Sequence, residues 1–162
     1  MTLNLAILLF VTLERLAELP WARANMKRLL DAGGHEVAPG HYPAIVAVHA
    51  AWLAALWWLA PGQPVNLAFL ALFGLIEVGR LWVLATLGRR WTTRIVVVPG
   101  EQLVRRGPYR FVDHPNYWVV AAEIAVLPLI FGLWQGAVVF TLLNAAVLWV
   151  RIRAENRALR SV

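Results

Sequence analysis

In a chain of 162 residues, 60% are hydrophobic and only 15% charged, which leaves room for one domain and excludes a water-soluble one. Cysteine is absent, so disulfides and thiolate metal sites are excluded, and the four histidines (His35, His41, His49, His114) lack metal-ligand spacing, so no metal is expected. The net charge of +6 suits anionic lipid headgroups and membrane topology better than nucleic acid, because the basic residues fall in three separate segments and form no single patch.

In chain order, the first predicted span is Thr2 to Leu19. No basic segment precedes it and it ends in charged residues, so it reads as a retained span and not as a cleaved signal. Pro20 to Tyr42 interleaves Arg23, Lys27 and Arg28 with Met26, Leu29 and Leu30, then meets Gly33-Gly34, the pattern of a surface helix with a glycine stop. A second span, Pro43 to Ala60, and a third, Val65 to Leu87, are separated by the turn residues Pro61-Gly62-Gln63-Pro64. A polar segment follows, Gly88 to Asn116. It opens with Arg89-Arg90-Trp91-Thr92-Thr93-Arg94 and continues with the β-branched run Ile95 to Val98, which predicts a short extended stretch or hairpin before Pro99-Gly100. The fourth and fifth spans, Tyr117 to Phe131 and Gly136 to Val150, are short. Each covers about 22 Å against a hydrocarbon core of about 30 Å, so they thin the bilayer or lie partly at its surface. The helix then continues through Arg151 to Leu159 into water.

The fold read from this pattern is all-α and integral to the membrane, a single domain over residues 1–162 with five transmembrane helices. Arginine and lysine follow spans one, three and five, which predicts an N-terminus outside and a C-terminus in the cytoplasm. A lysine-poor, arginine- and alanine-rich composition points to a bacterial inner membrane.

Charged residues inside such a bundle are costly and should pair. Glu77 and Arg80 stand three apart on one helix and can neutralise each other, and Glu14, Arg15 and Glu18 lie near a span end. Glu123 has no basic residue within a helical turn, so its partner comes from another element or from a ligand, which makes it a candidate catalytic group. Arg151 and Glu155, four apart, read from their spacing alone as an ordinary helix ion pair.

Gly107-Pro108-Tyr109-Arg110, then His114-Pro115-Asn116-Tyr117, a hairpin of two spans, and Arg151-Ile152 with Glu155-Asn156 and Leu159 follow one another at set distances. Over about residues 85 to 160 this order resembles the isoprenylcysteine carboxyl methyltransferase family. Asp113 stands where the family has arginine, and Asn156 where it has a second glutamate. The resemblance implies an S-adenosylmethionine site formed by about residues 88–162 and facing the cytoplasm. Tyr109, Arg110, His114, Tyr117 and Glu155 would bind the cofactor, and Arg151, His114 and Glu123 would be catalytic. No strand leads into a glycine-rich turn and helix, so a Rossmann-type site is not expected.

Methyl transfer to a carboxylate needs only orientation, for which Arg151 is suited, whereas a phenol or enol needs a base such as His114 or Glu123. The acceptor implied is a lipophilic small molecule taken from the bilayer, since the chain resembles short bacterial relatives that look like O-methyltransferases for long-chain phenols or pyrones. Two enzyme readings stand beside this one, a phospholipid N-methyltransferase and a nicotinamide-dependent membrane reductase. A small transporter is a third, although the inverted repeats expected of it are not visible. Nothing in the sequence sets the oligomeric state.

Overall fold

The computed structural model describes residues 2–159, most of them helical. Five helices follow in order: α1 (Leu3–Asp31), α2 (Tyr42–Leu59), α3 (Leu67–Leu87), α4 (Pro115–Ile130) and α5 (Trp134–Leu159). Among the described residues three helical stretches are long and apolar enough to cross a membrane, Pro39–Leu59, Leu67–Arg90 and Trp134–Ala158, while Pro115–Ile130 is apolar but shorter. The chain is therefore a helical membrane protein. α1 differs from these in carrying Glu14, Arg15 and Glu18 along its length.

Pro20 does not end the first helix. α1 is one helix of 29 residues with Pro20 inside it, and no separate surface helix begins there. A proline inside a helix costs about 3 kcal/mol, and contacts on both sides of it offset that cost. Leu8 and Val11 are fully buried on the N-terminal side. On the other side Asn25 donates to the carbonyls of Gly88 at 3.1 Å and Trp91 at 2.9 Å, and Trp21 stacks on Trp91 at 5.1 Å. The glycine stop is where the pattern puts it: Gly33 adopts φ +87°, and the Gly34 amide caps the carbonyl of Leu29 at 2.9 Å.

The β-branched run finds its partner far upstream and forms no local hairpin. Strand β1 (His35–Glu36) pairs antiparallel with β2 (Val96–Val97), His35 opposite Val97 and Glu36 opposite Val96. The segment after α1 is thereby bound to the segment after α3. At the opposite end of the bundle Asn4 donates to the carbonyls of Ala60 at 2.9 Å and Gln63 at 2.7 Å, closing the α2–α3 turn, and Asn66 caps α3 by accepting from the amides of Ala68 and Phe69.

α3 packs on α4, α4 on α5, and α5 on α2. Leu8, Trp52, Phe73, Leu127, Ile130 and Phe131 belong to the core. Leu75, Leu81 and Leu142 point outward, which carries no penalty where the solvent is lipid. α5 starts at Trp134 and runs 26 residues without a break, so the fifth span is not short as expected. Only α4 remains so, at 16 residues.

The charged residues of the bundle pair across helices, and the Glu77–Arg80 expectation does not hold. Arg80 donates through Nη1 to both oxygens of Glu123 at 3.0 Å and through Nε to Glu18 at 2.8 Å. Glu14 approaches the same Nε to 3.4 Å. Arg15 Nη2 reaches Glu123 Oε2 at 2.6 Å. Arg80 and Glu123 are 3% and 1% exposed, so α1, α3 and α4 are joined by a charge network away from any aqueous face. Carboxylates arriving from α1 and α4 bracket the guanidinium from two sides, a fit that the neighbouring Glu77 on the same helix cannot match.

Candidate active site

The polar end of the bundle is built from three pieces of chain. Gly107 to Arg110 form a 3-10 turn in which Gly107 adopts φ +57° and a side chain would strike Thr86, so glycine is required there. Pro108 is buried and aims Tyr109 inward. Pro115 opens α4, a favourable place for proline, which sets His114 at the helix start and Tyr117 in its first turn. The last turns of α5 supply Arg151, Glu155 and Asn156.

These side chains meet around one hydroxyl. Tyr117 Oη accepts from Arg151 Nε at 2.7 Å and donates to Glu155 Oε2. Arg151 also donates through Nη1 to the carbonyl of Thr93 at 2.7 Å, and its guanidinium lies 5.3 Å from the Tyr117 ring. Arg151 and Glu155 do not pair directly among the described residues, so the ordinary ion pair read from their spacing is replaced by a bridge through the phenol. His114 stacks on Tyr117 at 5.2 Å, and its Nε2 donates to Asn156 Oδ1 at 3.1 Å, since that oxygen only accepts. In the neutral ring Nδ1 then carries the lone pair, and this nitrogen stands 3.8 Å from Glu155 Oε2. Burial pushes the Tyr109 phenol up from its ordinary value, and the charge of Glu155 adds to the shift.

A cavity of about 670 Å³ opens beside this bridge, within the range of small-molecule and cofactor sites. Tyr109, His114, Tyr117, Arg151 and Glu155 all lie on its wall, so the structure brings together five of the seven residues singled out in the sequence. The other two stand apart. Arg110 is exposed on the turn with its guanidinium 5.9 Å from the Phe111 ring, and Glu123 sits in the interhelical charge network. Of the two positions that depart from the family pattern, Asp113 lines the cavity and Asn156 holds His114.

Sequence reasoning included the stretch from Thr92 to Val98 in the site but singled out none of its residues, whereas Thr92 and Arg94 to Val98 line the cavity. Its part in the site rests mainly on the Thr93 carbonyl, and a backbone acceptor leaves no mark in the sequence. The polar triplet Thr92-Thr93-Arg94 just before a β-branched run was the one available signal.

The isoprenylcysteine carboxyl methyltransferase (ICMT) family matches residues 67–161, the stretch that holds α3 to α5 and most of the cavity wall. The uncharacterized protein YpbQ of Bacillus subtilis (strain 168) is 36% identical over 167 residues, with 95% of each chain covered. No solved structure matches.

Proposed function

The chain belongs to the ICMT family and is thus a membrane methyltransferase, and on that premise we propose that it transfers a methyl group from S-adenosylmethionine to an oxygen of a lipophilic acceptor. The observation that carries this reading is the Arg151–Tyr117–Glu155 bridge on the wall of the cavity at the polar end of the bundle.

The donor set suits that cofactor. A ribose diol or an amine finds a carboxylate in Glu155, a carboxylate finds the guanidinium of Arg151, and a sulfonium finds the ring faces of Tyr109 and Tyr117. When bound, the cofactor supplies a methyl carbon already activated for displacement. What remains for the protein is to bind, to align and to exclude water.

Two roles then fall to the chain's own residues. For a carboxylate acceptor, Arg151 orients the nucleophilic oxygen. For a phenol or enol, His114 takes the proton at Nδ1, the nitrogen left with its lone pair when Nε2 donates to Asn156. Glu123, already accepting from two guanidiniums, serves the bundle in this reading.

Calorimetric titration of the detergent-solubilised chain with S-adenosylhomocysteine tests the proposal. Saturable binding of one molecule per chain is expected, with no heat from a nicotinamide cofactor. Saturation by the nicotinamide cofactor instead would replace methyl transfer with reduction.

The same reading places the cavity in the cytoplasm. The three basic segments converge at one end of the bundle, where Asn25 holds the Gly88 to Trp91 turn and His114 meets Asn156, and the positive-inside rule puts that end in the cytoplasm. A fluorescent protein fused to the C-terminus should therefore fluoresce, and alkaline phosphatase fused there should be inactive. The opposite pair of results would invert the topology.

A further inference from the structure

Residues 34–42 precede the family-matched stretch, yet they hold one wall of the cavity. Tyr42 Oη and Thr93 Oγ1 share a hydrogen bond at 3.1 Å. Glu36 accepts from Arg94 Nη1 at 2.8 and 3.0 Å, and the Arg94 guanidinium lies 4.4 Å from the centre of the Tyr42 ring. The Val37 amide donates to the Ile95 carbonyl at 2.9 Å, extending the β1–β2 pairing by one bond.

We infer that Tyr42 and Glu36 are positioning residues for the cavity, acting through Thr93 and Arg94 to set where Arg151 stands. The segment from Thr92 to Val98 has only two residues of regular structure, so it has little rigidity of its own and takes its shape from its ties. Thr93 is gripped from both sides, its hydroxyl by Tyr42 and its carbonyl by Arg151. A rotation of that residue loses both bonds at once. Because Arg151 is also bound to the Tyr117 hydroxyl, which in turn holds Glu155, a displaced Thr93 carbonyl moves the whole bridge. The ties themselves add little to global stability: the Arg94–Glu36 pair is 35% and 20% exposed, and such pairs are weak. Their loss should therefore appear in the geometry of the cavity before it appears in the melting temperature.

The inference rests on the methyltransferase reading for one of its two measurements and is independent of it for the other. In the solubilised full chain, Tyr42→Phe keeps the ring beneath Arg94 and removes only the hydroxyl. Thr93→Val removes the other half of the same bond and keeps the carbonyl that Arg151 uses. Each is expected to weaken S-adenosylhomocysteine binding about threefold to tenfold. The double variant should be no weaker than the poorer single one, because both remove one shared interaction, and Thr93→Ser should restore the parent affinity. Glu36→Gln should weaken binding separately. Without any ligand, hydrogen exchange over residues 92–98 should quicken in Tyr42→Phe and in Glu36→Gln while the rest of the chain keeps its rates. Parent exchange over 92–98 in both variants would overturn the inference, as would parent affinity within twofold. If the parent chain fails to bind S-adenosylhomocysteine, the methyltransferase reading falls, and the exchange measurement alone still decides whether Tyr42 and Glu36 hold the wall.

Discussion

Replacing Arg80 with alanine is expected to destabilise the unliganded protein by about 3 to 5 kcal/mol, the usual cost of removing one partner from a buried ionic contact. Three carboxylates converge on this guanidinium, from Glu14 and Glu18 on α1 and from Glu123 on α4. Without it, Glu123 keeps only Arg15, and Glu18 keeps a 3.7 Å contact with the same Arg15. One guanidinium is then left to neutralise groups that lie in the bundle away from water, where unpaired charge is most costly. Unfolding in mixed micelles by a rising fraction of denaturing detergent measures the loss. A loss below about 1 kcal/mol would show that the network does not hold α1 against α3 and α4.

The second large effect concerns Glu155 and appears in affinity rather than in stability. Glu155→Ala is expected to raise the dissociation constant for S-adenosylhomocysteine by roughly 5- to 150-fold, the equivalent of losing about 1 to 3 kcal/mol of hydrogen bonding in a partly desolvated site. The carboxylate does not pair directly with Arg151 and is 26% exposed, so the unliganded protein should melt near the parent temperature. The extra stabilisation given by a fixed excess of the ligand should shrink, because it follows the ratio of ligand concentration to dissociation constant. Glu155→Gln, which keeps an acceptor for the Tyr117 hydroxyl and loses the charge, should fall between the two. An unchanged ligand-induced shift would return Glu155 to the status of a surface charge on a helix.

Much of this architecture was legible in the sequence, because apolar length and turn chemistry report directly on helices in a bilayer. The hairpin turns after α2 and α4, the glycine stop after α1 and the run of α5 past Val150 follow from local residue types. Five side chains of the cavity wall were legible for a different reason, that their order and spacing match a family pattern. What could not be read depends on partners distant in the chain. Pro20 is carried through α1 by Asn25 and Trp21 gripping residues near position 90. Arg80 passes over Glu77 on its own helix for carboxylates up to 66 positions away. β2 pairs with residues 60 and 62 positions earlier. In each case local preference was outweighed by a tertiary contact with no local signature.

The 16-residue length of α4 has a bearing on how an acceptor is delivered. At 1.5 Å per residue the helix is about 24 Å long, some 6 Å less than a typical hydrocarbon core. Its first turn carries Tyr117 and adjoins His114, so a bilayer matched to α4 would be thinned beside the cavity, toward those side chains. Lifting an alkyl tail out of lipid costs about 0.8 kcal/mol per methylene, or roughly 12 kcal/mol for a fifteen-carbon chain. Such a penalty would erase the binding energy of most soluble enzymes. For the proposed lipophilic acceptor the tail would not have to leave: the headgroup would cross the last few ångströms to the cavity while the chain behind it stayed dissolved in the leaflet. Turnover on acceptors of increasing tail length should therefore not fall with each added methylene, as it would if every substrate had first to be pulled into water.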